Sequence, residues 1–202
     1  MELYEKIYVK PAFLETDHGE IACEHCHGGD PEDDDWQTAH KGVVRDPTYP
    51  DPATACGECH ENIVASAVSS LHFTLRPMKQ TIEQRTGNED PAVLITIDAA
   101  INKHCLTCHA SCGQCHVSRS DYADGGLLAA HRFIKTPSMD TTCASCHGGR
   151  VHSEYTGVED DYEADVHCAD EDMTCMDCHT ASEMHSSAEG VKNRFDLPER
   201  PA

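Results

Sequence analysis

The motif Cys-X-X-Cys-His occurs six times in this chain of 202 residues and uses all but one of its 13 cysteines. Two thiols three residues apart lie on the same side of a helical turn, and the histidine follows directly after them. This pattern predicts covalent attachment of c-type haem, with two thioethers per motif and the motif histidine as the proximal iron ligand. In chain order, the motifs one to six are Cys23, Cys26 and His27; Cys56, Cys59 and His60; Cys105, Cys108 and His109; Cys112, Cys115 and His116; Cys143, Cys146 and His147; and Cys175, Cys178 and His179.

Zinc sites and disulfides are the alternative interpretations of paired cysteines. A tetrahedral zinc site also uses Cys-X-X-Cys, but it does not require a histidine directly after every second cysteine. A disulfide framework does not require that histidine either. The repeated histidine therefore favours haem over both alternatives.

Six haems leave only about 34 residues of polypeptide for each one, which is too few for six separate helical shells. Aromatic residues make up only 5% of the chain, so a conventional side-chain core would be poorly supplied. We therefore expect a single domain over residues 1–202, mostly irregular, with short α-helices and little β-structure around a core of stacked haems. Ligation would supply much of the folding free energy, so the chain without haem is expected to be unfolded.

The formal net charge of −21 argues against a nucleic-acid partner. Acidic runs at residues 30–35, 159–165 and 170–172 are interpreted as solvated loops, with divalent-cation binding as the alternative. Covalent haem attachment takes place outside the cytoplasm, so an extracellular or periplasmic location is expected. The first fifteen residues lack a secretory-signal pattern, which predicts a processed chain or a targeting segment outside this sequence. The sequence contains no run of about 18 apolar residues, so no membrane span is predicted.

The sequence predicts a few short elements of regular structure. Apolar residues at helical spacing predict a helix within residues 61–73, and a second short helix is expected within residues 75–87, ended by Gly87. The β-branched stretch at residues 91–98 is interpreted as a short strand. Asp98 is expected to cap a helix that runs into the third motif.

Nine histidines lie outside the motif positions, which is enough to give six irons a second axial ligand each. An iron held by two imidazoles has no open position for a substrate and is suited to electron transfer. His25 and His152 are expected to be surface residues, and methionine ligation is the minority interpretation. The expected distal ligands come from His18, His40, His72, His104, His131, His167 and His185.

Three features extend beyond the motifs themselves. They are the nearly fused third and fourth motifs from His104 to His116, the repeated Cys-His-Gly-Gly at Cys26 and Cys146, and the sequence Met173-X-Cys175-Met176-Asp177-Cys178-His179. With these features the chain resembles multihaem c-type cytochromes of metal-reducing bacteria and archaea, and more narrowly the extracellular cytochromes that polymerise into filaments. The resemblance implies a continuous chain of haems and a head-to-tail homopolymer in which one haem takes its distal histidine from the next subunit. His18 is then the first candidate for that ligand and His40 the second.

These observations favour an electron-transfer protein rather than an enzyme, since all six motifs end in histidine. The main hypothesis is a filament subunit that conducts electrons to redox partner proteins or extracellular metal oxides. A monomeric periplasmic electron carrier is the alternative, and a multihaem oxidoreductase is less favoured because it needs an open iron position.

Overall fold

A computed structural model describes residue 4 and residues 7–104, 110–120, 123–158 and 161–186, without the side chain of residue 104. A 3₁₀ turn at Pro11–Glu15 and π-helical turns at Ala53–Gly57, Met139–Cys143 and Gly148–His152 accompany the α-helices. The α-helices are α1 Cys23–His27, α2 Trp36–Ala39, α3 Glu58–Ala67, α4 Leu71–Thr74, α5 Arg76–Thr86, α6 Pro91–His104, α7 Cys112–His116, α8 Ala144–His147, α9 Ser153–Thr156, α10 Val166–Ala169, α11 Cys175–Cys178 and α12 Ala181–His185.

Most of these helices are a single turn, joined by irregular chain. Over the described ranges, β-structure is limited to one isolated antiparallel bridge between Ser118 and Leu127. The expected fold class of short helices, loops and little β-structure is therefore confirmed.

The predicted helix at residues 61–73 forms as two helices, α3 and α4, separated by a break. The side chain of Ser70 accepts a hydrogen bond from the backbone N–H of Phe73 at 3.2 Å and so caps the start of α4. The helix expected at residues 75–87 is confirmed as α5, and Gly87 ends it in the left-handed region with φ of 62°.

The prediction of a strand at residues 91–98 is wrong, because this stretch forms the first half of α6. Asp90 precedes the helix, and its side chain accepts a hydrogen bond from the backbone N–H of Ala92 at 2.9 Å. Pro91 then occupies the first helical position, where its missing N–H costs nothing. These start signals and the burial of Ile101 outweigh the β-branched composition of the segment.

The prediction that Asp98 caps a helix is wrong, because this residue lies in the middle of α6. Its carboxylate is 2.8 Å from Nζ of Lys79 in α5 and accepts a hydrogen bond from Asn102 at 2.9 Å. The ion pair with Lys79 lowers the pKa of Asp98. Asp98 therefore holds α5 and α6 together rather than starting a helix.

The side-chain core is small. Within the described residues, the buried hydrophobic side chains are Phe13, Val64, Ala67, Ile101 and Val117. Large apolar side chains remain at the surface, including Trp36 at 69% exposed and Ile95 at 70%. Packing of side chains against each other therefore supplies only part of what holds this chain in place.

Carboxylates in the acidic runs cap backbone amides. Asp35 accepts hydrogen bonds from the N–H groups of Gln37 and Thr38, both at 3.0 Å, at the start of α2. Asp165 does the same for His167 at 2.9 Å, at the start of α10. In the described segments, no group of three or more histidine, cysteine or acidic side chains is arranged to hold a metal ion. Each helix in those segments is also too short or too polar to cross a bilayer.

A buried hydroxyl network joins the segment ahead of the second motif to the fourth motif. Thr48 Oγ1 lies 3.0 Å from Ser111 Oγ and accepts a hydrogen bond from the N–H of Gly113 at 3.0 Å. A Cβ atom at position 113 would come within 2.6 Å of Thr48 Oγ1. Glycine is therefore required at this position by close packing.

We predict that Gly113→Ala lowers the free energy of unfolding by about 1–3 kcal/mol, because Thr48 has to move and its hydrogen bond is disturbed. Gly57→Ala is the matched control. Gly57 holds the equivalent position in the second motif, and a Cβ there meets its nearest neighbour at an ordinary 3.5 Å. Thermal unfolding of the haem-loaded protein followed by circular dichroism compares the two. Equal midpoints for both variants would contradict the prediction.

Candidate haem-binding sites

Five of the six motifs lie on short helices in the described part of the chain. They occupy α1, the turn Ala53–Gly57 with the start of α3, α7, the turn Met139–Cys143 with α8, and α11 with its C-cap His179. The third motif, at residues 105–109, lies outside the described residues. Capping boxes start two of these helices: Ser111 pairs with Gln114 before α7, and Thr174 pairs with Asp177 before α11. Local sequence therefore determines where these cysteine pairs begin their helical turn.

Two motif histidines are clamped to a downstream backbone segment in the same way. His27 donates from Nδ1 to the carbonyl of Val44 at 2.7 Å, and its own carbonyl accepts from the N–H of Val44 at 2.7 Å. His116 makes the equivalent pair with Ile134, at 2.7 Å and 2.9 Å. With Nδ1 occupied, Nε2 is the nitrogen left to bind a metal, which is the usual arrangement around a ligating histidine.

Four motif histidines each have one histidine from outside the motifs opposite them. The ring centroids are 5.9–6.2 Å apart, and the angles between ring planes range from 18° to 78°. The pairs are His27 with His131, His60 with His18, His147 with His72, and His116 with His185.

The spacing of these pairs fits two axial ligands on one metal. A bond from a first-row metal to an imidazole nitrogen is about 2 Å long, so imidazoles on opposite sides of one metal have centroids roughly 6 Å apart. One pair at this distance is ordinary for packed aromatic rings. Here the distance recurs four times, and each time it joins a motif histidine to a histidine outside the motifs. This recurrence indicates that the four pairs have the same role. The residues present therefore fit bis-histidine haem.

The four non-motif partners share an electrostatic signature. In His18, His72, His131 and His185, burial first and then the facing motif imidazole lower the pKa of the ring. A lowered pKa keeps the imidazole neutral, with a nitrogen lone pair available for a metal.

The backbone and neighbouring rings fix two of these partners in position. Phe133 stacks on His18 with centroids 4.0 Å apart. His131 has a φ of 74°, uncommon for a residue with a side chain, and its ring meets the edge of Phe13 at 4.6 Å. Nδ1 of His131 is buried without a hydrogen-bond partner in the structure. Strained backbone and an unsatisfied buried nitrogen are features of functional positions.

The remaining described histidines divide by which ring nitrogen is engaged. In His40, Nδ1 is bound to the carbonyl of Trp36 at 2.7 Å, and in His167, Nδ1 is bound to Asp165 at 2.8 Å. Nε2 of both rings is left for other contacts.

His25 and His152 use Nε2 instead. The distance is 3.2 Å from His25 to Glu58 and 2.8 Å from His152 to Asp140. His40 and His167 therefore retain the nitrogen arrangement of a ligand, and His25 and His152 do not.

His179 of the sixth motif differs from the other described motif histidines in its Nδ1 partner. Nδ1 lies 3.1 Å from Oε2 of Glu183, whose side chain is only 4% exposed. Glu183 lies four residues later in α12, so the two side chains meet along neighbouring helical turns. A buried carboxylate here takes the role that a backbone carbonyl plays for His27 and His116.

Neighbouring motifs are close enough to give a continuous order. The helix α1 packs on the turn Ala53–Gly57, which joins motif one to motif two. The Cys56 thiol forms a hydrogen bond with the Cys112 thiol, and this bond lowers the pKa of Cys112 to about 7. Motif two is therefore adjacent to motif four.

Motif four reaches motif five through Cys115, whose pKa is raised to about 11 by burial and then by the nearby thiols of Cys143, Cys112 and Cys146. The helix α11 packs on Met139–Cys143, and Cys175 contacts Cys143. The described motifs are therefore adjacent in the order one, two, four, five and six.

Residues 55–148 match the model of the family described as cytochrome c554 and c-prime. The matched segment covers just under half of the chain and contains motifs two to five. No curated protein and no solved structure matches the chain. The match and the motif geometry together define the class: a multihaem c-type cytochrome, which carries covalently bound haem iron and functions in electron transfer.

Sequence reasoning missed the residues that orient the motif histidines. The carbonyl groups of Val44 and Ile134 leave no mark in the sequence, because every residue has a carbonyl. Glu183 could have been found from its spacing of four residues from His179. Residues Cys105, Cys108 and His109 lie outside the described residues, as does the side chain of His104.

We predict that His72→Ala opens one axial position, because this imidazole faces His147 across 6.2 Å. Electron paramagnetic resonance of the oxidised protein is expected to show a new high-spin ferric signal from a single iron. His152→Ala is the control, since that Nε2 is engaged by Asp140, and its spectrum should match the wild type. A low-spin spectrum in His72→Ala would exclude His72 as a ligand.

Proposed function

We propose that this cytochrome carries six c-type haems with two histidine ligands each and passes electrons along them. The observation that carries the proposal is the set of four imidazole pairs with a common separation of 5.9–6.2 Å. Haem bound there would supply a one-electron couple at each motif. The chain contributes the thioether cysteines, the oriented imidazoles and the close spacing of the motifs.

Filling both axial positions favours electron transfer over catalysis. Binding and activating a small molecule needs an open coordination position, and each paired histidine would occupy that position. The contacts between successive motifs support rapid passage of charge from one centre to the next. An oxidoreductase function has no comparable support among the described sites.

The haem number is tested by mass. The purified protein is expected to exceed the polypeptide mass by six haem groups, and a Cys56→Ser, Cys59→Ser double variant by five. Sharp Soret and alpha absorption bands should accompany the intact protein. A preparation without these bands, or with no added tetrapyrrole mass, would refute the proposal.

For the assembly we propose a head-to-tail homopolymer in which His40 is donated to the sixth motif of the next subunit. His40 is exposed, and its Nδ1 is fixed by Trp36 so that Nε2 is left for a partner. His40 also lines a cavity together with Cys23 and His27 of the first motif, at one end of the motif order. At the other end, His179 has no facing imidazole within the described residues, while four other motif histidines do.

An internal similarity supports the choice of His40 over His18. His40 precedes the clamp residue Val44 of motif one, as His131 precedes the clamp residue Ile134 of motif four. His131 serves a different motif from its own, facing His27. His18, the first candidate from the sequence, faces His60 of its own chain.

The surface around His40 also suits an interface. Trp36, Val43 and Val44 are exposed by 69%, 45% and 46%, and tryptophan is enriched where proteins meet. We propose an extracellular location for the polymer, with metal oxides or redox partner proteins as acceptors. The net charge of −21 makes subunits repel, so assembly should be favoured by salt.

We predict that His40→Ala prevents filament formation while each subunit retains its haems and folded structure. His25→Ala is the control, because its Nε2 already contacts Glu58. Negative-stain electron microscopy of native material should show long fibres in the wild type and the control, and small particles in His40→Ala. Small particles in all three would indicate the monomeric periplasmic carrier instead.

A further inference from the structure

Glu183 is the one described carboxylate that is buried against a motif histidine. The residue is 5% exposed, and its Oε2 lies 3.1 Å from Nδ1 of His179. Burying a carboxylate is costly unless a partner stabilises its charge. The cap of α12 does not explain this residue type, since the hydroxyl of Thr180 accepts its hydrogen bond from the backbone N–H of Glu183 and not from the side chain.

The acceptor on Nδ1 affects the iron on the other side of the ring. A proton shared with a carboxylate gives the imidazole more negative character than one shared with a neutral carbonyl, and this raises the basicity of Nε2. A more basic ligand stabilises the ferric state relative to the ferrous state, because the ferric ion carries one more positive charge. Low exposure strengthens the effect, since water does not screen the carboxylate.

Two other motif histidines of the same molecule, His27 and His116, have a different Nδ1 acceptor from that of His179. His27 and His116 donate Nδ1 to backbone carbonyls at 2.7 Å, so their irons would have neutral acceptors behind them. The carboxylate of Glu183 also interacts with His72, which faces His147 of the fifth motif. The negative charge therefore lies at the end of the motif order formed by motifs five and six.

We propose that Glu183 is a potential-determining residue that makes the haem of the sixth motif more reducing than those of motifs one and four. The inference rests on the proposed haem loading. It assigns a direction to the molecule: at equilibrium, electrons are held at the haems of motifs one and four in preference to the haem of motif six, at the end of the motif order. Glu183 acts through His179 and is a positioning residue, without contact to the iron itself.

The test is a redox titration of the haem-loaded Glu183→Gln variant followed by electron paramagnetic resonance. This substitution keeps the shape and an acceptor oxygen but removes the charge. We expect the transition of the sixth motif to move furthest to higher potential, with a smaller shift for motif five through His72, while those of motifs one and four stay in place. The Cys175→Ser, Cys178→Ser double variant assigns the transition, because it lacks the sixth haem.

Asp140→Asn is the matched control, since it removes one negative charge next to His152, a histidine whose Nε2 is already engaged. No shift in Glu183→Gln, or a shift no larger than in Asp140→Asn, would overturn the inference. If Glu183→Gln loses haem, Glu183→Asp provides the second reading. It keeps the charge but shortens the reach to Nδ1, so a smaller upward shift is expected, and an unchanged potential would overturn the inference.

Mass measured on every variant distinguishes a failure of the role of Glu183 from a failure of haem loading. Six added haems with unchanged potentials reject the role of Glu183 alone. Absence of added haem in the wild type rejects the proposed function itself.

Discussion

The hydrogen bond on Nδ1 of His27, His116 and His179 is the interaction on which the geometry of their sites depends. An imidazole on a one-turn helix has rotational freedom that the helix itself does not restrict. The carbonyls of Val44 and Ile134 remove that freedom and leave Nε2 as the nitrogen available to iron. Facing histidines from remote segments are placed where they would complete such a metal site, which no single helix contains.

The small hydrophobic core gives these polar contacts unusual weight. Five buried apolar side chains among the described residues are too few to hold more than a dozen short helical segments together. Local hydrogen bonds such as the network of Thr48, Ser111 and Gly113 contribute to stability, and bonds from histidine to haem iron are expected to add to it. Haem attachment and folding are therefore expected to be coupled.

The sequence was most informative where chemistry requires particular residues at a particular spacing. The motif positions, the short-helix fold class and the end of α5 at Gly87 could all be read from it. The strand predicted at residues 91–98 is wrong, because β-branched composition alone does not take account of the helix start signals at Asp90 and Pro91. Which histidine faces which motif could not be predicted either, since that depends on how loops cross between segments far apart in the chain. Backbone acceptors such as Val44 have no residue type to identify them.

The two histidines of each facing pair are far apart in the sequence. The separation is 42 positions for His18 and His60 and 104 positions for His27 and His131, and the other two pairs lie between these values. An iron bound between the two histidines of a pair would close a long loop, and the chain would then be cross-linked between distant segments rather than built as a row of independent modules. A truncation at either end would thus remove a ligand from a motif in the interior of the sequence. Shortening this protein by deleting one repeat, as is possible in solenoid proteins, should disable two sites rather than one.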